Sequence, residues 1–264
     1  MYGTVIETQR LSPTMVRVIL GGEGLEGYTP APHTDQYVNA LFIPDGAPYA
    51  VPFDLDAARA EAAEHRPRGR RYTIRWWDPD ARRLAIDFVV HGDVGYAGRW
   101  AANAQPGDLL QFIGPSGGYL PDPDAAWYLM VGDESAVPAI AASLEVLRPA
   151  AVANVVITVD DADSHLELTS PADLYVSWLH RHDGDATPDG VVAAVRALAA
   201  PDGVPEVFVH GEAAEIRAVR KYLVAERGID RDAASISPYW RRGDTDEAWR
   251  QVKREWVAAM NADV

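Results

Sequence analysis

Alternating apolar and polar positions dominate the first third of the chain. Residues 3–10, 14–21 and 36–43 carry β-branched or alternating patterns, with Val16, Val18 and Leu20 on one face of the second. Strand signal returns at 70–77 and 84–90, where Leu84, Ile86, Phe88 and Val90 oppose Ala85, Asp87 and Val89. Between them, from Pro44 to Gly69, an Ala-, Glu- and Asp-rich stretch predicts a short helix and a loop. A helix near 97–104 and the turn Pro106-Gly107-Asp108 lead to a last strand, LLQFIG. Five or six antiparallel strands at this spacing predict a small closed barrel.

After Gly114-Pro115 the pattern changes to strand and helix in alternation. Strands are predicted at 127–135, 153–161 and 206–213, and helices at 135–147, 191–200 and 212–227, the last closed by Gly228. The segment 173–181 fits a strand or a short helix equally. Alternation of this kind implies a parallel sheet with a binding crevice at the carboxyl ends of its strands. The reading divides the chain near residue 120, into a barrel domain (1–120) and an α/β domain (121–264). A final helix over 245–260 carries Trp249, Val252, Trp256, Val257 and Met260 on one face, which must be covered.

Composition narrows the chemistry. With 39 acidic and 24 basic residues the formal net charge is −15, so nucleic acid is a poor general partner and an anionic ligand needs a local basic patch. Cysteine is absent, which excludes disulfides, thiolate metal sites and cysteine-ligated iron–sulfur clusters; redox chemistry must come from a bound cofactor. No metal site is expected. The N-terminus shows no secretory signal and no apolar run approaches the ~20 residues of a membrane helix, so the expected location is cytoplasmic.

Candidate chemistry concentrates between Arg70 and Trp100. Arg70, Tyr72, Thr73 and the turn from His91 to Gly98 supply a flat aromatic, donors, cations and a helix start near Ala97, the parts a flavin clamp needs. Elsewhere, the turn Gly132-Asp133-Glu134-Ser135-Ala136 joins a strand to a helix where an α/β domain binds a nucleotide. It has one glycine instead of three, and its acids would oppose a pyrophosphate. A second turn, Gly211-Glu212, is followed by Arg217, Arg220 and Lys221, which fit a solvated helix face or a phosphate contact. Arginine clusters at 65–71 and at Arg241-Arg242 mark candidate anion surfaces, with carboxylate pairing as the alternative. Tyr239 and Trp240 could stack on a ring or anchor the last helix. Nothing in the chain suggests a hydrolase or kinase motif.

These motifs together resemble the siderophore-interacting protein family, flavin-dependent ferric-siderophore reductases related to ferredoxin–NADP reductases. The likeness rests on Asp35 to Val38, Arg70-x-Tyr72-Thr73-Ile74-Arg75, Asp87 to Gly92, Gly95 to Ala101, Gly132 to Ile140, Gly211-Glu212 and Tyr239-Trp240-Arg241-x-Gly243. It implies a six-stranded antiparallel flavin-binding barrel followed by a parallel-sheet α/β nucleotide-binding domain. It also implies an FAD site built from Arg70, Tyr72, Thr73, Ile74, Asp87, Val89, His91, Gly92, Gly95, Ala97, Gly98, Tyr239 and Trp240, with Tyr72 and Thr73 acting at the ring. Gly132 to Ala136, Gly211, Glu212, Arg217 and Lys221 would serve the nucleotide. Arg66, Arg68, Arg241 and Arg242 would hold an anionic ferric siderophore. Electrons would pass from NADPH or NADH through FAD to Fe(III), with ferredoxin as an alternative donor. A general flavin reductase and a non-catalytic siderophore-binding protein are the rival readings. Gly95-Tyr96-Ala97-Gly98 departs from the family's usual Gly-Pro-Ala-Ser, and Pro238 stands where glycine is commoner.

Overall fold

The computed structural model describes residues 1–90 and 95–263. The chain divides into two compact units, residues 1–120 and 121–264.

In the first unit six strands close into an antiparallel barrel in the order β1-β2-β5-β4-β3-β6: β1 (Tyr2–Ser12), β2 (Met15–Gly21), β3 (Tyr37–Phe42), β4 (Arg68–Asp78), β5 (Arg83–Val89) and β6 (Leu109–Ser116). Register shifts in β1 and between Ile74 and Trp76 of β4 supply the bends that closure requires. Val18, Leu20, Val38, Ile74, Leu84, Ile86, Phe88 and Phe112 fill the interior. The period-two face of β5 thus lies inside, as its alternation predicts. Asp87, on the opposite face, is buried and pairs with Arg17, directly across from it on β2, through two bonds of 2.7 and 2.8 Å. One end of the core is covered by α2 (Ala97–Asn103), whose Trp100 packs against Phe42 and Phe88. The insertion after β3 forms α1 (Leu55–Ala60), capped by the Asp54 side chain, and Gln111 of β6 grips both main-chain groups of Phe53.

The second unit is a five-stranded parallel sheet in the order β11-β10-β7-β8-β9: β7 (Trp127–Asp133), β8 (Val152–Val159), β9 (Asp173–His180), β10 (Pro205–Glu212) and β11 (Ser235–Trp240). Its helices are α3 (Val137–Glu145), α4 (Pro188–Ala197), α5 (Ala213–Lys221) and α6 (Asp246–Ala262). The ambiguous 173–181 segment is a strand at the sheet edge. β11 was not signalled by hydrophobic pattern, because Pro238 interrupts it; at the opposite edge of the sheet a residue without an N–H is tolerated. The helix expected over 212–227 ends as α5 at Lys221 and runs on as a π turn over Tyr222–Glu226. α6 packs on its own unit: Trp249 and Met260 are buried, and Trp249 Nε1 donates to the Tyr239 carbonyl. Arg220, for which a solvated helix face was one of two expectations, is buried and donates to the Met260 carbonyl at the end of α6. Among the described residues no helix is long and apolar enough to cross a membrane.

Candidate functional site

The inward face of β4 forms a row, Arg68, Arg70, Tyr72 and Ile74, that climbs from the barrel core towards its end. Ile74 is fully buried and Tyr72 half-buried, its ring 4.3 Å from that of Phe88. The Arg68 and Arg70 guanidiniums each lie 5.9 Å from the ring of Tyr96, the residue that opens α2. Two cations, two phenol rings and a helix start therefore converge. Gly95 takes a φ of +87°, which favours glycine, and a Cβ on Gly98 would come within 3.2 Å of the Val89 carbonyl, so a side chain there would press on the end of β5. Ala97 is buried beneath it. On the other face of β4, Arg71 lies over the Tyr37 ring, and Thr73, buried, pairs with Tyr37 in register. His91 and Gly92 lie outside the described residues. Arg66 and Arg68 fold onto the insertion, donating to the carbonyls of Glu61 and Ala63. Arg68, expected to hold the siderophore, stands beside Arg70, expected to hold the cofactor, with both at the Tyr96 ring. This set fits a flat aromatic ligand with a pyrophosphate: rings for stacking, guanidiniums for the anion, and a close glycine approach.

At the carboxyl ends of the parallel strands, carboxylates dominate. Asp133, buried, accepts from the Ser135 N–H at 2.9 Å, from the Glu212 N–H at 2.8 Å and from Trp240 Nε1 at 2.8 Å, and also from the Ser135 hydroxyl. Glu134, equally buried, is held by Arg181 through bonds of 2.6 and 2.8 Å, and the same guanidinium reaches Asp160 at 3.0 Å. Burial pushes the Glu134 carboxyl up against the pull of Arg181, while its acidic neighbours keep Arg181 firmly protonated despite burial. Glu212 caps α5, accepting from the N–H groups of Ala214 and Glu215. Glu215 accepts from Thr158 and Arg242, and burial together with Asp133 pushes its carboxyl up to about 7. Arg181 was missed from sequence; its one signal was a lone arginine directly after a strand. On β10, His210 is pushed down to about 3 by burial and stacks on Phe208.

A groove of about 700 Å³ in the second unit is lined by Arg217, Lys221, Arg241, Arg242 and Trp256. It unites residues expected to bind nucleotide with residues expected to bind substrate. Its arginines already hold internal acids: Arg217 clasps Asp263 at 2.6 and 2.9 Å, Arg242 meets Glu215 at 3.2 Å and Arg241 meets Asp244 at 3.7 Å.

Against known proteins, residues 4–119 match the family described as "Siderophore-interacting FAD-binding domain", and residues 125–243 match "Siderophore-interacting protein". The ferric vibriobactin reductase ViuB of Vibrio cholerae is 35% identical, over 94% of this chain and 92% of its own. An NADPH-dependent ferric-chelate reductase of Escherichia coli is 32% identical, over 90% and 91%. The crystal structure of the siderophore-interacting protein SipS from Aeromonas hydrophila superposes with a TM-score of 0.82 at 29% identity, covering 98% of each chain. A ferredoxin reductase of carbazole 1,9a-dioxygenase, at 15% identity and a TM-score of 0.65 over 91% and 67%, shares the fold. Barrel, parallel sheet and both sequence matches agree: the chain belongs to the siderophore-interacting protein family, with a ferredoxin reductase-like fold.

Proposed function

We propose that this protein is a flavin-dependent oxidoreductase that passes electrons from NAD(P)H through FAD to the Fe(III) of a siderophore, releasing Fe(II) in the cytoplasm. The observation that carries the reading is the β4 row ending at Tyr96, set on a barrel whose sequence matches an FAD-binding domain. When bound, FAD supplies the conversion of a two-electron donor into single electrons. The chain's own residues do the rest. Tyr72, braced by Phe88, would cover the ring, with Thr73 as the donor to its edge; Arg68 and Arg70 would hold the pyrophosphate, with Gly95 and Gly98 letting the main chain approach. Tyr239, Trp240, His91 and Gly92 are the further residues this reading assigns to the cofactor. Iron leaves because hard oxygen donors such as catecholate or hydroxamate hold Fe(III) far better than the less charged Fe(II).

The Escherichia coli relative's name supports NADPH as donor in place of ferredoxin. Because the Ser135, Glu212, Ala214 and Glu215 amides are taken by carboxylates, the phosphates of a dinucleotide fall to Lys221 and to Arg217, whose half-exposed pairing with Asp263 a phosphate would displace, with Gly132 to Ala136, Gly211 and Glu212 as the wall of the crevice. Arg241 and Arg242, with Arg66, serve the anionic chelate. Anaerobic titration of the purified protein with NADPH, NADH or reduced ferredoxin, followed by ferric catecholate and hydroxamate chelates and a ferrous trap, tests this. Bleaching of flavin absorbance by NADPH and then trapped Fe(II) is expected; protein that neither binds flavin nor reduces a chelate overturns it.

A further inference from the structure

The groove of the second unit already grips an anion, and the chain itself supplies it. Arg217 and Lys221 stand four residues apart on α5, one turn above the other, and both line the groove. Asp263, which also lines it, caps the carboxyl end of α6. Its carboxylate meets the Arg217 guanidinium through two bonds, Nε to Oδ2 at 2.6 Å and Nη2 to Oδ1 at 2.9 Å. That fork is the one a guanidinium offers to a phosphate. The hydrogen bonds from Arg217, with the charges of Lys221 and Arg220 behind them, hold the Asp263 carboxyl below its usual range.

The helix gains little from this acid. Asp263 stands at the negative end of the α6 dipole, in a last turn that carries no basic residue, so a carboxylate is locally disfavoured there. Nor does the pair anchor α6. Met260 is buried, its carbonyl receives buried Arg220 at 2.9 Å, and Trp249 is buried near the start of the helix. The pair itself is open to solvent, with 37% of the Arg217 side chain and 29% of the Asp263 side chain exposed, and the guanidinium lies 5.5 Å from the Trp256 ring. A contact that nothing else depends on can open without disturbing the fold.

We propose that Asp263 is an internal competitor for the phosphate site of this groove: its carboxylate occupies Arg217 until a ligand's phosphate monoester takes its place. The proposal rests on the reading of the groove as the dinucleotide's, and adds how its affinity is set. A phosphate monoester brings about −1.5 to −2 charges and three acceptor oxygens to a guanidinium that the carboxylate meets with one charge and two oxygens. A ligand without phosphate leaves the pair closed. Every ligand that takes Arg217 first opens the pair, and a partly exposed bidentate pair of this kind lowers the apparent affinity about fivefold.

Calorimetric titration of the full chain with adenosine 2′,5′-bisphosphate, and with adenosine as the probe that lacks phosphate, tests the exchange. Asp263→Asn keeps the shape of the side chain and removes its charge. It is expected to tighten the bisphosphate about fivefold and to bring adenosine no gain. Arg217→Ala is expected to weaken the bisphosphate, and Asp263→Asn added to it to recover nothing. An unchanged bisphosphate affinity in Asp263→Asn overturns the proposal, because the pair is then a simple tie. An equal gain for adenosine overturns it as well, since the end of α6 has then moved off the groove, and so does a gain that persists without Arg217. Bisphosphate that binds none of these proteins also defeats the proposal, while bleaching of the flavin by NADPH still upholds the proposed function. The fivefold gain without such bleaching defeats the proposed function and leaves the exchange standing.

Discussion

The two units of this protein treat charge in opposite ways. At the end of the barrel, Arg68 and Arg70 flank the Tyr96 ring beside a helix start, and the aromatic faces of Tyr72 and Phe88 continue the row into the core. At the carboxyl ends of the parallel strands, Asp133, Glu134, Glu212 and Glu215 are all buried and each is bonded to an amide, an arginine or an indole within the same unit. Cations set beside aromatic rings suit an anionic, flat ligand. Carboxylates consumed by their own loops suit a rigid scaffold. The location of a binding crevice in a doubly wound sheet is thus a starting point, and the donor and acceptor inventory decides what the crevice accepts.

Removing Arg181 should break the scaffold most severely, because it leaves Glu134 buried without its cation; Arg181→Ala is expected to cost about 3–5 kcal/mol in urea unfolding. Asp87→Ala is the matching cut in the barrel, taking the buried two-bond carboxylate from part-buried Arg17, with an expected loss of about 3 kcal/mol. Gly211→Ala comes next, since it forces a side chain onto Asp133 at a backbone angle that favours glycine; about 1–3 kcal/mol should be lost. A smaller effect within the second unit is read by pH. Glu215 has a folded-state value raised to about 7 from 4.5, so its protonated form stabilises the fold fully below 4.5 and that contribution disappears as pH rises through 7. Glu215→Gln should therefore gain stability relative to the parent at pH 8, by about 1–2 kcal/mol, and lose that advantage at pH 4. His210 runs the other way: its value is lowered to about 3, so stability falls progressively as pH drops below 6.5. Arg66→Ala, on an exposed side chain bonded to one carbonyl, should change thermal stability by less than about 1 kcal/mol.

The barrel was legible because its strands obey a period of two: Leu84, Ile86 and Phe88 declare both the strand and its inner face. β7 and β8 were legible as short apolar runs between turns. β11 was not, since Ser235 to Trp240 contains a proline and only half-buried neighbours; its pairing is set by β10, far away in sequence. The candidate flavin residues on β4 could be read because they lie within a few positions of each other. The period of two also sets Arg70 and Tyr72 on one face of the strand and Arg71 and Thr73 on the other. Arg181 and the link from Asp133 to Trp240 could not be read, because those partners lie 47 and 107 positions apart and only the parallel sheet brings them together. Arg217 seemed available for a phosphate; its partner Asp263 waits at the end of a helix 46 residues later.

Equilibrium titration of flavin-stripped protein with FAD, comparing the parent with Tyr72→Ala, Arg70→Ala and Glu134→Gln, tests the contrast between the units most directly. The account predicts FAD affinity at least about tenfold weaker for the two barrel variants and within about twofold of the parent for Glu134→Gln. Undiminished affinity in both barrel variants, or a loss confined to Glu134→Gln, would contradict it.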